Sequence, residues 1–263
     1  MGTRTAVYLN DYDLAGLGFI LEAVEGWNDA PSVRDRVTQL PGRPGTIALA
    51  PEAETAPRAL SFRGVIRATS LAGVRTSMAA LQERLYRGTV EVRLSDDPDK
   101  VFFARTEEQV RIVTPPQFAS PHTRLSWRMT CPDPLRYDRN GTVIGFSSAR
   151  GATPLGSAPS LPVLRIMGAA TNPVITYRNA AGESIGTMGF TITLAATDYL
   201  EIDCELMTVT KVVSGVATSV PTILTSGDFL LLDPQDGSYP DSVWPTLEVS
   251  AGTGEALYRK AWL

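Results

Sequence analysis

The sequence predicts a mainly β protein in two halves, the first carrying one packed α-helix and the second an antiparallel β-sandwich. Three observations predict it. Short segments of period-two alternation recur along the chain, bounded by Gly, Pro, Asn and Asp turn formers. Only residues 71–86 carry a helical period. The alternating run 125–131 stops at Cys131-Pro132-Asp133-Pro134, where two prolines remove two backbone donors and fix φ twice. The stretch after this joint is rich in Gly, Ser, Ala and Pro. A first domain over 1–138, a linker over 139–160 and a second domain over 161–263 are therefore expected.

In the first half, residues 4–9 read as a short strand closed by Asn10-Asp11-Tyr12-Asp13. A second strand runs over 19–24, and 33–40 alternates imperfectly into the bend Leu40-Pro41-Gly42-Arg43-Pro44-Gly45. That bend lacks the Gly-Lys-Ser/Thr of a phosphate-binding loop and reads as a structural turn. Residues 58–69 alternate, with Leu60, Phe62, Gly64, Ile66 and Ala68 on one face. The period then changes. Ser70 is an N-cap, and Leu71, Val74, Met78, Leu81 and Leu85 recur at spacings of three and four, giving a helix of about four turns before Gly88. Strands follow over 89–94, 101–105 and 109–114, with 95–100 expected as a solvated hairpin tip. Its three aspartates lack calcium-loop spacing. His122 opens the strand that leads to the joint.

In the second half, strand signals come about every ten residues, as in a sandwich: 163–168, 174–178, 189–194, 199–203, 207–213, 218–224 and 229–232. The tail from Trp244 reads as a last hairpin ending on Trp262-Leu263.

Composition narrows the function. The chain has 263 residues, and no apolar run approaches the ~18 of a membrane span, so no membrane insertion is expected. The opening residues have no apolar core of a secretory signal. Net charge is −4, and Arg34, Arg36, Arg43 and Arg58 are scattered, which argues against tight DNA binding. Cys131 and Cys204 sit in strand-like alternation and read as small buried hydrophobes rather than a disulfide or metal pair. No catalytic, cofactor or metal constellation is found, and none is expected. The carboxylate pairs Asp198 with Asp203 and Glu201 with Glu205 fit a solvent face better than glycosidase chemistry. Sugar stacking in the second half has Tyr177, Tyr199, Tyr239 and Trp244 as candidates, scattered over several segments.

Four parts, in order, carry a resemblance. They are the 40–45 bend, the strand 60–66 feeding the helix 71–86, the close Cys131-Pro132-Asp133-Pro134-Leu135-Arg136-Tyr137, and a late series. The late series is Gly227-Asp228-Phe229-Leu230-Leu231-Leu232-Asp233, Trp244-Pro245-Thr246-Leu247 and Tyr258-Arg259-Lys260-Ala261-Trp262-Leu263. Together they resemble the distal tail protein (Dit) family of long-tailed, siphovirus-like phages. The chain departs from the family's Phe-Pro-x-Leu-x-Pro-Gly: after Trp244-Pro245 the second Pro is absent and the Gly is displaced to Gly252.

The resemblance implies an N-terminal split-barrel, tail-tube-like domain with the packed helix, then a galectin-like sandwich. It implies a structural homo-hexameric ring in the virion, at the tail tip, made in the host cytoplasm. Expected partners are the tail tube protein, a tip or tail-associated hub protein and the tape-measure protein, with DNA passing through the lumen without specific binding. A ring joined head to tail needs arms that reach a neighbour. Pro41, Gly42, Arg43, Pro44 and Gly45 of the bend, with Pro51, Glu52 and Pro57 of the next loop, are the candidate ring interface. The alternative is a carbohydrate-binding module for attachment to the host surface.

Overall fold

The alternation read in the sequence becomes strands with one buried and one open face. The computed structural model describes residues 5–34, 37–38, 47–48, 54–114, 121–234 and 244–262. The chain divides into two compact units, up to residue 136 and over residues 137–262.

The first unit contains β1 (Val7–Leu9), β2 (Tyr12–Asp13), β3 (Phe19–Glu25), β4 (Arg58–Arg67), the helix α1 (Leu71–Leu85), β5 (Thr89–Leu94), β6 (Asp97–Thr106), β7 (Arg111–Thr114) and β8 (His122–Cys131). The sheet order is β2-β1-β5-β6-β8-β4-β3, with β7 also on β8. Strands β4 and β8 pair along ten consecutive residues, from His122 opposite Arg67 to Cys131 opposite Arg58. Strand β8 buries Thr123, Leu125, Trp127, Met129 and Cys131 and exposes Arg124 and Arg128, as a half-buried strand must.

Phe62, opposite Trp127, stacks on it with ring centroids 5.2 Å apart and planes 13° apart. Phe19 tilts onto the same indole at 5.2 Å. A second aromatic contact sets Trp27 edge-on to Phe102 at 5.0 Å. The buried Arg58 guanidinium lies 4.8 Å over the Phe102 ring and donates from Nη1 to the Trp27 carbonyl at 3.3 Å. Helix α1 starts where Ser70 Oγ accepts the Gly73 N–H at 3.1 Å, and it buries Val74, Leu81 and Leu85 in the core.

Two details of this unit go beyond expectation. The 95–100 segment is the expected exposed hairpin tip, with Ser95-Asp96 as its turn and Pro98 and Asp99 also exposed; the difference is that β6 already begins at Asp97, opposite Leu94, with a bulge before Phe102. Asp97 is held there, its Oδ2 accepting from Trp27 Nε1 at 3.4 Å and pairing with Arg136 at 3.7 Å. Among the described residues of 33–40, Val33–Arg34 pairs with Glu54–Thr55 and Val37–Thr38 with Ile47–Ala48.

The second unit is a sandwich. Its strands are β9 (Thr142–Phe146), β10 (Gly151–Ala152), β11 (Val163–Met167), β12 (Val174–Arg178), β13 (Ser184–Phe190), β14 (Tyr199–Asp203), β15 (Thr208–Val213), β16 (Val216–Ser219), β17 (Leu224–Gly227), β18 (Thr246–Val249) and β19 (Thr253–Tyr258). One sheet runs β9-β19-β11-β14-β15-β16 and the other β10-β18-β12-β13-β17. Leu164, Ile166, Leu200, Ile202 and Ala256 of the first meet Ile175, Tyr177, Met188, Leu247 and Val249 of the second in one core.

The stretch 139–160, expected as a linker, is instead part of the sandwich. Strand β9 pairs along β19, β10 pairs with β18, and Thr153 and Ser160 are buried with their hydroxyls donating to the carbonyls of Pro245 at 2.7 Å and Arg259 at 2.9 Å. Small residues suit this role because Gly151 lies against the backbone of Gly145.

Three further expectations shift. Strand β13 starts at Ser184, directly after a turn closed by Asn179 Oδ1 accepting the Glu183 N–H at 2.8 Å. The run 218–224 breaks at Pro221, whose short 3-10 turn carries the chain from β16 in one sheet to β17 in the other. The last two strands are not a hairpin either, since β18 and β19 belong to different sheets and 250–252 connect them. Trp262 Nε1 donates to Asp138 Oδ1 at 2.8 Å, which ties the end of this unit to its beginning.

Each unit places an aromatic ring over a glycine of the neighbouring strand. A Cβ on Gly64 would lie inside contact distance of the Phe19 ring and the Ile20 carbonyl, and one on Gly254 would meet the Phe146 ring. Gly64→Ala and Gly254→Ala are each expected to destabilise the protein by about 1–3 kcal/mol through overpacking. Urea denaturation checks this, and an unchanged midpoint would show that the rings can step aside.

Both thiols are buried, which pushes Cys131 and Cys204 up from 9.0 to about 12. A thiol raised in the folded state favours folding below its unfolded value and loses that contribution as pH rises through its folded value. Stability is therefore expected to fall between pH 9.0 and about 12, read as a declining urea midpoint. At neutral pH a thiol reagent should label neither residue without unfolding, and rapid labelling of folded protein would contradict this burial.

Candidate functional site: interaction surfaces

Three of the four carboxylates offered for glycosidase chemistry are held by local structure, and the fourth, Glu205, is exposed. Asp198 is buried, and its Oδ2 accepts the Ala195 N–H at 3.4 Å across a turn. Asp203 Oδ1 accepts the N–H groups of Glu205 at 3.0 Å and Leu206 at 2.9 Å, closing the β14–β15 turn. Glu201 pairs with Arg165 at 2.8 Å on the outer face of the six-stranded sheet. Among the described residues, no group of three or more His, Cys, Asp or Glu could hold a metal ion, and no helix is long and apolar enough to cross a membrane.

Among the described residues, the aromatic candidates for sugar stacking, Tyr177, Tyr199 and Trp244, do not form a platform. Tyr177 is a core residue, 2% exposed, and its hydroxyl donates to the Asp233 carbonyl at 2.9 Å. Burial, then the nearby Asp233, pushes its phenol above the ordinary range. Its ring faces are therefore closed to a saccharide, which corrects the expectation for this residue. Tyr199 lies half-buried on β14 of one sheet, near Arg165, while Trp244 is exposed just before β18 of the other. Tyr239 lies outside the described residues. An open cleft of about 490 Å³ does exist beside β13 and β17, with Thr187, Asp228, Phe229 and Asp233 in its lining.

Of the candidate ring interface, Pro41, Gly42, Arg43, Pro44, Gly45, Pro51 and Glu52 lie outside the described residues. Pro57 is exposed and directly precedes β4.

One surface was missed in the sequence because it is assembled across strands. Register places Arg63 and Arg67 of β4, Arg124 and Arg128 of β8, Arg111 of β7 and Arg105 of β6 on the open face of the first sheet. Arg63 pairs with Glu25, Arg124 with Glu22 at 3.3 Å and Arg105 with Glu107 at 3.2 Å. Arg67, Arg111 and Arg128 are exposed and pair with no carboxylate among the described residues. Strand β5 adds Arg93, paired with Asp11, and Glu91 to this face, so seven guanidiniums stand against five carboxylates and leave it positive in a chain whose net charge is −4. The signal in the sequence is an Arg pair spaced by four on each of two paired strands, which becomes a cluster only once the register is known.

The fold of the whole chain is similar to those of phage hub and baseplate structures. The crystal structure of the SPP1 Dit protein (gp 19.1), a paradigm of hub adsorption apparatus in Gram-positive infecting phages, matches with a TM-score of 0.79 at 15% identity, over 99% of this chain and 100% of that one. Two structures of the phage p2 baseplate in its activated conformation, with Sr and with Ca, match with TM-scores of 0.54 and 0.53 at 9% and 8% identity. They cover 98% and 99% of this chain and 99% of each of theirs. At these identities the likeness is one of fold. No protein-family model matches the sequence, and neither does any curated protein.

Proposed function

We propose that this chain is a distal tail hub of the Dit kind, a structural component of a long-tailed phage virion rather than an enzyme. Six copies form a ring that joins the tail tube to the tip or fibre-bearing proteins and leaves a lumen through which DNA passes. The first unit is the ring former and the second is the galectin-like outer domain. The observation that carries this reading is the whole-chain match to the SPP1 Dit protein at a TM-score of 0.79, which spans both units in one alignment. A likeness confined to one sandwich would support only a shared module.

The candidate interface remains the bend 41–45 with the loop 50–57. Deleting 50–57 is expected to weaken ring formation while the remaining chain stays folded by circular dichroism. A deletion ring of undiminished stability would remove this loop from the interface.

The test of the main reading is native mass spectrometry across a concentration series. Six subunits, or twelve from two stacked rings, is the expected result. A monomer at every concentration, together with no ring after addition of purified tail tube, would overturn it. The attachment reading has lost Tyr177 as a stacking ring and keeps Tyr199, Tyr239 and Trp244 as candidates along with the Phe229 cleft. A glycan array blank across several host polysaccharides would leave it without support.

A further inference from the structure

We propose that the open face of the first sheet binds the phosphate backbone of double-stranded nucleic acid without reading its sequence. The inference rests on this face alone and stands or falls independently of the ring reading. Strands β4 and β8 turn Ser61, Arg63 and Arg67, and His122, Arg124, Ser126, Arg128 and Thr130, to the same side, and register adds Arg111 opposite Ser126. From residue 122 to residue 130 this row extends about 27 Å, the rise of eight strand residues. That matches roughly eight base pairs of duplex at 3.4 Å each.

The chemistry of the face selects the occupant. Guanidiniums interspersed with serine and threonine hydroxyls supply the donors that phosphate oxygens take. A protein partner needs an apolar or aromatic centre. The aliphatic residues around the arginines form no centre: Val65 of β4 is 6% exposed, Ile20 opposite it on β3 is half-buried, and the exposed Val113 lies apart on β7 at the sheet margin. Single strands are bound by stacking on aromatic rings. Strands β4 and β8 send Phe62 and Trp127 to the opposite, buried side, and the rings on the open side, Phe103 of β6 and Tyr8 of β1, are half-buried and lie outside the β4–β8 row. What remains is charge at regular spacing, which suits a duplex held by its backbone.

The strength follows from the count of unpaired arginines. Three guanidiniums that each neutralise one phosphate give a log–log salt slope of about −2.7 and an affinity loss of about 40-fold between 50 and 200 mM salt. Contacts this few and this salt-sensitive let a duplex slide rather than anchor it.

The experiment is fluorescence anisotropy of the full chain with two labelled duplexes of unrelated sequence, over a range of salt. The variants are Arg67→Ala/Arg111→Ala/Arg128→Ala, the corresponding triple Lys variant, and a control with Arg75, Arg87 and Arg150 changed to Ala. Equal binding of both duplexes is expected, with a slope near −2.7. The Ala triple should lose at least ~10-fold in affinity at low salt and its slope should approach zero. The Lys triple should keep the slope, and the control should stay within about threefold of the parent. The Lys triple also reports that the positions tolerate substitution. No binding at the lowest salt, equal loss in the control, or an unaltered Ala triple would each overturn the proposal. Tighter binding of a polyglutamate peptide than of duplex would overturn it too, by assigning the face to an acidic protein.

Discussion

The first unit depends on the continuous pairing of β4 with β8. Ten matched residues fix which side chains face the core, because a slip of one would turn Phe62, Trp127 and Met129 to solvent and Arg63, Arg124 and Arg128 inward. The aromatic stack locks that register. Trp127 is held between Phe62 and Phe19, and Phe19 can reach it only because Gly64 leaves room beneath the ring. The same pairing makes the arginine face, so core and charged surface are two sides of one constraint.

The sandwich solves a different problem. It must carry one chain repeatedly between two sheets, and it does so at positions where a ladder cannot continue. Pro221 cannot donate to a strand partner, and the turn at 250–252 passes from β18 to β19 across the sandwich. Small residues in 139–160 let β9 and β10 lie close to other backbone, and the hydroxyls of Thr153 and Ser160 satisfy buried carbonyls. Low apolar content in that stretch therefore signals close backbone packing rather than a free tether. This is why its composition misled the reading of a linker.

The candidate site was legible to an uneven degree. Cys131 and Cys204 are inert core residues, as their alternation indicates. Aromatic identity says little about exposure: Tyr177 fills the core with its hydroxyl capping a carbonyl, whereas Trp244 lies open. Asp198 and Asp203 are taken up by turns and Glu201 by an ion pair, a use common to polar residues at strand ends. The arginine face was present in the sequence only as a spacing within each strand. Arg63 and Arg128 are far apart in sequence and meet only through the ladder.

The sequence by itself determined the local elements: the cap at Ser70, the apolar stripe of α1, the alternation of β4 and β8, and the stop after Cys131. Those signals depend on neighbours within one turn or two strand residues, so they are present in the linear order. Only the tertiary structure decided which strands share a sheet, where the chain crosses between sheets, and which charges gather on one face. Pairing partners lie tens of residues apart, and a period of two gives each strand a buried side without naming the strand beside it.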